Sequence, residues 1–214
     1  MPSNRVNLHI RTQAGVALCS LLVLAGCSAR YVHVPPRVEL APYGRVALVT
    51  FSADQSNAAI SALATQRFAE AVLASQPGIE LLEIGAADSA LRALGPNPDV
   101  TALARAVGIE RDVAAVFLGT LTVSGARPQG RLSTSGMNVR TSVSAELNVR
   151  MLATRTGGTV WRSSSQAEGT VGQFTVANRL PTISMRDRQE AYGEVVDRLV
   201  ADLTRDFRPT RVRQ

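Results

Sequence analysis

The chain has 214 residues, with 23 basic and 17 acidic side chains and a formal net charge of +6; that length suits one domain or two small ones. At 45% hydrophobic and 19% charged it is composed like a globular protein, not a disordered one. All the basic residues are Arg, which excludes Walker-type phosphate loops and Schiff-base lysine chemistry. Two His and two Cys leave almost no material for zinc sites, Ser-His-Asp triads or disulfide frameworks.

Residues 1–13 carry Arg5 and Arg11 and no acid. Ala14 to Leu24 is an unbroken apolar or small run, too short for a membrane-spanning helix but suited to a signal-peptide core. It ends in Leu24-Ala25-Gly26-Cys27, followed by Ser28. This tetrapeptide resembles the bacterial lipobox at every position. The resemblance implies that residues 1–26 are a signal peptide and that Cys27 is acylated to hold the mature chain in a lipid bilayer. Each buried methylene adds about 0.8 kcal/mol, so two or three acyl chains anchor firmly. Loss of the leader also removes Cys19 and His9, leaving His33 as the single histidine and no thiol pair for a disulfide. By analogy with lipoprotein sorting, Ser28 permits transfer to the outer membrane. The expected location is therefore the periplasmic face of the cell outer membrane.

Residues 27–44 read as a tether, because Pro35, Pro36 and Pro42 oppose a helix or central strand. In a polyproline-like conformation it reaches about 50 Å. Residues 45–208 are expected to form one α/β domain, followed by a tail over 209–214. Val46–Phe51 is an apolar run of strand length. Ser56 or Asn57 can cap a helix over 58–74 whose apolar positions, among them Ile60, Leu63, Phe68 and Val72, share one face. Pro77-Gly78 ends it before a strand over 79–84. Two short helices follow, over 87–94 and 100–107, with Asp99 capping the second and Gly108 stopping it.

A strand over 113–123 contains Gly119 as a bulge or a close approach. Ser124–Met137 reads as a polar Gly- and Ser-rich loop. Residues 138–153 alternate: Val139, Val143, Leu147 and Met151 face one way, Arg140, Ser144, Glu146 and Arg150 the other, the mark of a strand with one wet face. Thr156-Gly157-Gly158 supplies a hairpin turn into a strand over 159–170. A loop to Met185 precedes a final helix over 186–207, striped by Tyr192, Val195, Val196, Leu199, Leu203 and Phe207. The expected fold class is α/β, a single mixed-sheet sandwich ordered βαβααββ(β)α, with an antiparallel C-terminal hairpin and a C-terminal helix.

Three stretches resemble one family: Val46–Phe51, Val113–Leu121 and the hairpin Leu147–Trp161. In the last, Val149–Trp161 is similar to a recurrent D-x-R-T-G-x-x-V-W strand pattern, with Ala153 and Thr154 ahead of Arg155 in place of the pattern's acid. The pattern occurs in the envelope-protein family of the curli secretion lipoprotein CsgG, the penicillin-binding-protein activator LpoB and the TolB N-terminal domain. The resemblance covers residues 45–207 and implies a lipid-anchored adaptor that binds another cell-envelope protein. The alternative it implies is an oligomerising subunit of a CsgG-type secretion assembly, a homo-oligomer.

Between Val113 and Ser165 six arginines stand against Glu146 alone. Arg127, Arg131, Arg140, Arg155 and Arg162 are the expected interaction surface, a basic face that steers an acidic partner or anionic glycan. Export takes the domain away from nucleic acid, so none is expected as a partner. A secretion pore needs membrane strands of about 9–11 residues, and Ser124–Met137 and Val171–Met185 are interrupted by Pro128, Gly130, Gly136 and Pro181. Acid–base chemistry would have to draw on Asp54, Glu146 or Glu168, which read more plainly as a loop turn, a wet strand face and a strand end. His33 reads as a solvated tether residue, and Trp161 as core. No catalysis, metal or cofactor is expected.

Overall fold

The computed structural model describes residues 31–85, 99–125, 127–133, 136–177, 180–185 and 188–213. Cys27, the signal peptide expected over residues 1–26 and the helix expected over 87–94 lie outside them. The chain divides into two compact units. One includes an antiparallel pair formed by strand β1 (Tyr31–Val34) and the last strand, Thr210–Arg213, with Val34 opposite Thr210. These stretches were expected as tether and tail. Tyr31, Val32 and Val34 lie in a stretch whose alternate β-branched residues suit a strand better than the prolines around them suggest.

The other unit, Pro36–Pro209, is built on β2 (Arg45–Val49), helix α1 (Ala58–Ser75), β3 (Glu80–Ile84), α2 (Val100–Arg111), β4 (Ala115–Val123), β5 (Arg127–Ser133), β6 (Gly136–Ala153), β7 (Thr159–Ala177), β8 (Leu180–Met185) and α3 (Arg188–Leu203). Seven strands form one mixed sheet ordered β3-β2-β4-β6-β7-β8, with β5 paired to β6 beyond the end of β4. The pairs β2–β3 and β2–β4 are parallel, each joined through a helix-containing connection, and every later pair is antiparallel. The expected mixed α/β sheet with its C-terminal helix is the observed one.

One face of the sheet packs against α1 and α3. Leu48 and Val46 from β2, Phe117 and Leu121 from β4, the alternate residues Ala145, Leu147, Val149 and Met151 from β6, and Val196 and Leu199 from α3 form its core. Of the five Phe and one Trp, four Phe and the Trp meet there. Phe117 lies 5.3 Å from Phe68, 5.8 Å from Phe207 and 6.1 Å from Trp161, all edge-on, and Phe51 adds a further edge-on contact to Phe68 at 5.5 Å. Edge-to-face geometry sets the positive ring edge against the negative face, worth about 0.5–1.5 kcal/mol per pair beyond burial. Trp161 is 7% exposed and donates its indole N–H to Asp206 Oδ2 at 3.2 Å, so its polar atom is satisfied inside the wall.

Phe51 lies just past the end of β2, where its backbone leaves the ladder. Thr65 and Ser61 on the buried face of α1 replace the lost partners: Thr65 Oγ1 accepts from Phe51 N at 3.0 Å, and the Ser61 hydroxyl donates to the Phe51 carbonyl. Neither Ser56 nor Asn57 caps α1 through its side chain; a 3-10 turn over Gln55–Asn57 leads into the helix instead. Residues 36–44, expected as tether, are fixed to this unit. Leu40 is fully buried, and the Gln76 side chain accepts from Leu40 N (2.9 Å) while donating to the carbonyls of Val38 (3.2 Å) and Phe207 (2.7 Å). A buried amide with all these bonds made holds three chain segments without an unpaired polar atom.

Three further expectations are corrected. The stretch 124–137 is not a loop, since it contains β5, and the stretch before Met185 contains β8. Their Pro128 and Pro181 sit on outer strands, where a missing N–H breaks no inner ladder. Helix α2 passes through Gly108 and ends at Arg111, with Asp112 left-handed at φ 51°. Gly108 is small for packing: a Cβ there would collide with the Thr154 side chain at the hairpin turn. Gly119 is likewise a close approach and not a bulge, because β4 keeps unbroken register with β6 and a Cβ would enter the Phe51 ring. Gly119→Ala is therefore expected to cost about 1–3 kcal/mol through displacement of Phe51, read as a lower midpoint in urea denaturation followed by Trp161 fluorescence.

Candidate functional site

Among the described residues, the second face of the sheet is covered on one side only. Helix α2 lays Ala104 and Val107 over Ala47, Val49, Ile84, Val116 and Leu152 to form a small second core. Asp99 caps this helix, accepting from Ala102 N at 3.1 Å, and Arg105 donates to the Thr156 carbonyl at 3.2 Å, tying α2 to the hairpin turn. Among the described residues no helix covers the rest of this face. There β4, β6 and β7 present Thr120, Thr122, Ser144, Glu146, Asn148, Arg150, Arg162, Ser164 and Gln166, all of them exposed or half-buried.

The register sets charges side by side. Leu152 faces Thr159 and Met151 faces Trp161, so Val160 is an extra, unpaired residue on β7. This bulge advances the strand by one position. Arg162 consequently sits directly opposite Arg150, and Leu118 of β4 flanks Arg150 on its other side. Directly opposed residues in an antiparallel pair have Cβ atoms about 4.5–5.5 Å apart, and like charges there are destabilising. Neither guanidinium makes an ion pair or hydrogen bond to a described residue. Glu146, on the same strand face, has its carboxylate occupied by the Asn148 amide at 2.9 Å.

Beside this pair, at the N-terminal end of α2, lies a groove of about 520 Å³. Arg150, Arg162, Asn148, Thr159, Thr120 and Thr50 give it a polar side; Val49, Val100, Leu103 and Leu118 give it an apolar one. Ser52 and Thr120, both lining it, are 3.1 Å apart through their hydroxyls.

The arginines expected to form one surface fall into two groups. Arg127 stands opposite Ser142, Arg131 opposite Asn138, and Arg140 between Gln129 and Gln173, all on the outer part of the β5–β6–β7 ladder. Arg127 and Arg140 are exposed, as is Arg155 in the turn after β6. Arg162 belongs to the groove. Ten residues of β6 separate Arg140 from Arg150, roughly 33 Å at strand rise. Arg150 lacks a place in the expected surface, although its position on the wet face is legible from the alternation; what the alternation does not show is the bulge that sets Arg162 against it. The carboxylates weighed for acid–base work are dispersed or solvated: Asp54 is exposed ahead of the 3-10 turn, and Glu146 and Glu168 are exposed on strands. His33 is exposed on β1. Among the described residues there is no cluster of three or more His, Cys, Asp or Glu side chains, and no helix is long and apolar enough to cross a membrane.

No family model and no curated protein matches the chain. Solved structures do. The PelC dodecamer from Paraburkholderia phytofirmans is similar at 14% identity and a TM-score of 0.43, over 84% of this chain and 97% of that one. A minor lipoprotein from Acinetobacter baumannii is similar at 12% identity and a TM-score of 0.39, over 80% and 99%. The LpoB C-terminal domain from Salmonella enterica follows at 13% identity and a TM-score of 0.33, over 58% and 83%. Bacterial lipoproteins are thus among the structures this chain is similar to.

The opposed arginines give a direct test of the register. Arg162→Glu converts a like-charge pair into a cross-strand ion pair and is expected to raise stability by about 0.2–1 kcal/mol at low salt, with the gain shrinking at high ionic strength. Thermal denaturation at two salt concentrations checks it.

Proposed function

We propose that the protein is a lipid-anchored periplasmic adaptor, held on the outer membrane through acylated Cys27, whose open sheet face docks another cell-envelope protein. The observation that carries this reading is that Arg127, Arg140, Arg150 and Arg162 are exposed, without an ion pair to a described residue, on a sheet face left uncovered by the described helices. A folded domain that stabilises itself from one side and exposes fixed, unneutralised charge on the other is arranged to attract an acidic surface. The rigid β6–β7 ladder holds those side chains at set spacings, which favours selection of a partner over general stickiness. The proposed role is non-catalytic: the arginines bind and orient, and the exposed carboxylates of Glu146 and Glu168 stay in water.

A second reading, an oligomerising subunit of a secretion assembly, is favoured by the strands β5 and β8. With β6 and β7 they extend the sheet into a four-stranded antiparallel arm. At seven and six residues, β5 and β8 each fall short of the roughly 9–11 that a membrane strand needs, so the arm suits contact between copies better than a barrel wall.

In-cell crosslinking from position 140 followed by mass spectrometry separates these readings. A discrete heterologous envelope protein, lost in the triple reversal Arg127→Glu, Arg131→Glu and Arg140→Glu, is the expected result. A ladder of self-crosslinks alone overturns the adaptor reading in favour of the assembly. A captured partner indifferent to the reversal removes the basic face from the account.

A further inference from the structure

We propose that the groove beside α2 is a binding site for a small organic carboxylate carried on an apolar body. The proposal does not depend on a docked protein, and its residues lie apart from the outer arginines at 127, 131 and 140.

Three features converge on it. Arg150 and Arg162 are placed opposite one another by the Val160 bulge, and both line the groove. Two guanidiniums so placed repel each other unless an anion lies between them, and the planar fork of Arg matches the two oxygens of a carboxylate. The carboxylates on the adjoining elements do not reach that place: Glu146 accepts from Asn148 and Asp99 from the backbone of its own helix, and neither makes an ion pair with Arg150 or Arg162. The charge is thus unneutralised by the described residues of β6 and α2 nearest to it.

The opposite wall is apolar. Val100 and Leu103 from the first turn of α2, with Leu118 from β4, are partly buried against the second core and still line the groove. A bare inorganic anion would satisfy the guanidiniums and leave that wall against water. A carboxylate on an aliphatic group covers both, each buried methylene adding to affinity. The volume of about 520 Å³ falls in the range of small-ligand sites, about 300–1,000 Å³.

The test is calorimetric titration of the full chain, in non-ionic detergent, with N-acetyl-leucine, N-acetyl-leucinamide and inorganic phosphate. N-acetyl-leucine is expected to bind at least tenfold more tightly than either control. Arg150→Gln and Arg162→Gln, both at exposed strand positions, are each expected to weaken it at least tenfold while Trp161 fluorescence stays unchanged. Absence of binding, equal binding of the amide, or indifference to both substitutions overturns the site. Phosphate binding as tightly as N-acetyl-leucine overturns the apolar half of the proposal. Partner capture from position 140 in the Arg150→Gln Arg162→Gln double variant keeps this result distinct from the adaptor reading: partner retained with carboxylate lost supports a separate site, whereas loss of both overturns its separateness.

Discussion

The contact of Phe117 with Phe68, Phe207 and Trp161 is the constraint on which the rest of the main unit depends. Phe117 lies near the start of β4, the strand where the parallel half of the sheet meets the antiparallel half, with Leu48 opposite it on one side and Met151 on the other. Phe68 brings α1 to it, Phe207 the turn that follows α3, and Trp161 the start of β7. A chain with only 4% aromatic residues has concentrated most of its large rings at one junction. The edge-on geometry leaves little freedom to slide. Local polar bonds are built around the same point: Gln76 ties the entering segment to Phe207, Asp206 receives the Trp161 N–H, and Thr65 and Ser61 hold Phe51.

Because both large helices are committed to that face, among the described residues only the twelve-residue α2 covers the opposite face. Helix α2 reaches β2, β3 and the start of β4 and stops at the hairpin turn, where Gly108 admits Thr154. Beyond it the sheet is polar and solvated, which an antiparallel sheet tolerates. The bulge at Val160 then decides what that open surface offers. Were the same sequence paired without the bulge, in regular register from Thr159, Arg162 would fall opposite Val149 on the core face. With it, two cations share a groove with an apolar wall. Stability and recognition are thus divided between the two faces of one sheet, and the ladder connects them rigidly.

Much of this fold is legible in the sequence because its signals are local. The alternation of Val143, Ala145, Leu147, Val149 and Met151 gives the buried face of β6 directly, and the stripe Val195, Val196, Leu199 and Leu203 gives α3. Asp99 caps α2 as its position suggests. The misreadings share one cause: Pro and Gly punctuate a sequence only when their neighbours are not fixed from elsewhere. Pro128, Gly130 and Pro181 lie in outer strands whose pairing is supplied by β6 and β7, and Gly108 lies inside a helix held against Thr154. Residues 36–44 look like a tether because nothing local announces Gln76, a long-range partner. The site was legible as charge surplus and as a wet strand face. Its pairing was not, since cross-strand register depends on a bulge that neither composition nor periodicity records.

Among the described residues the β4–β6–β7 face stands open, with Arg150 and Arg162 exposed and without an ion pair. Arginine-specific modification of the isolated full chain with phenylglyoxal, quantified residue by residue by mass spectrometry, addresses it most directly. Arg150 and Arg162 are expected to react as readily as Arg155 in the adjoining turn. Protection of both in the isolated folded protein would show the face covered by the chain itself, which an open binding face does not allow.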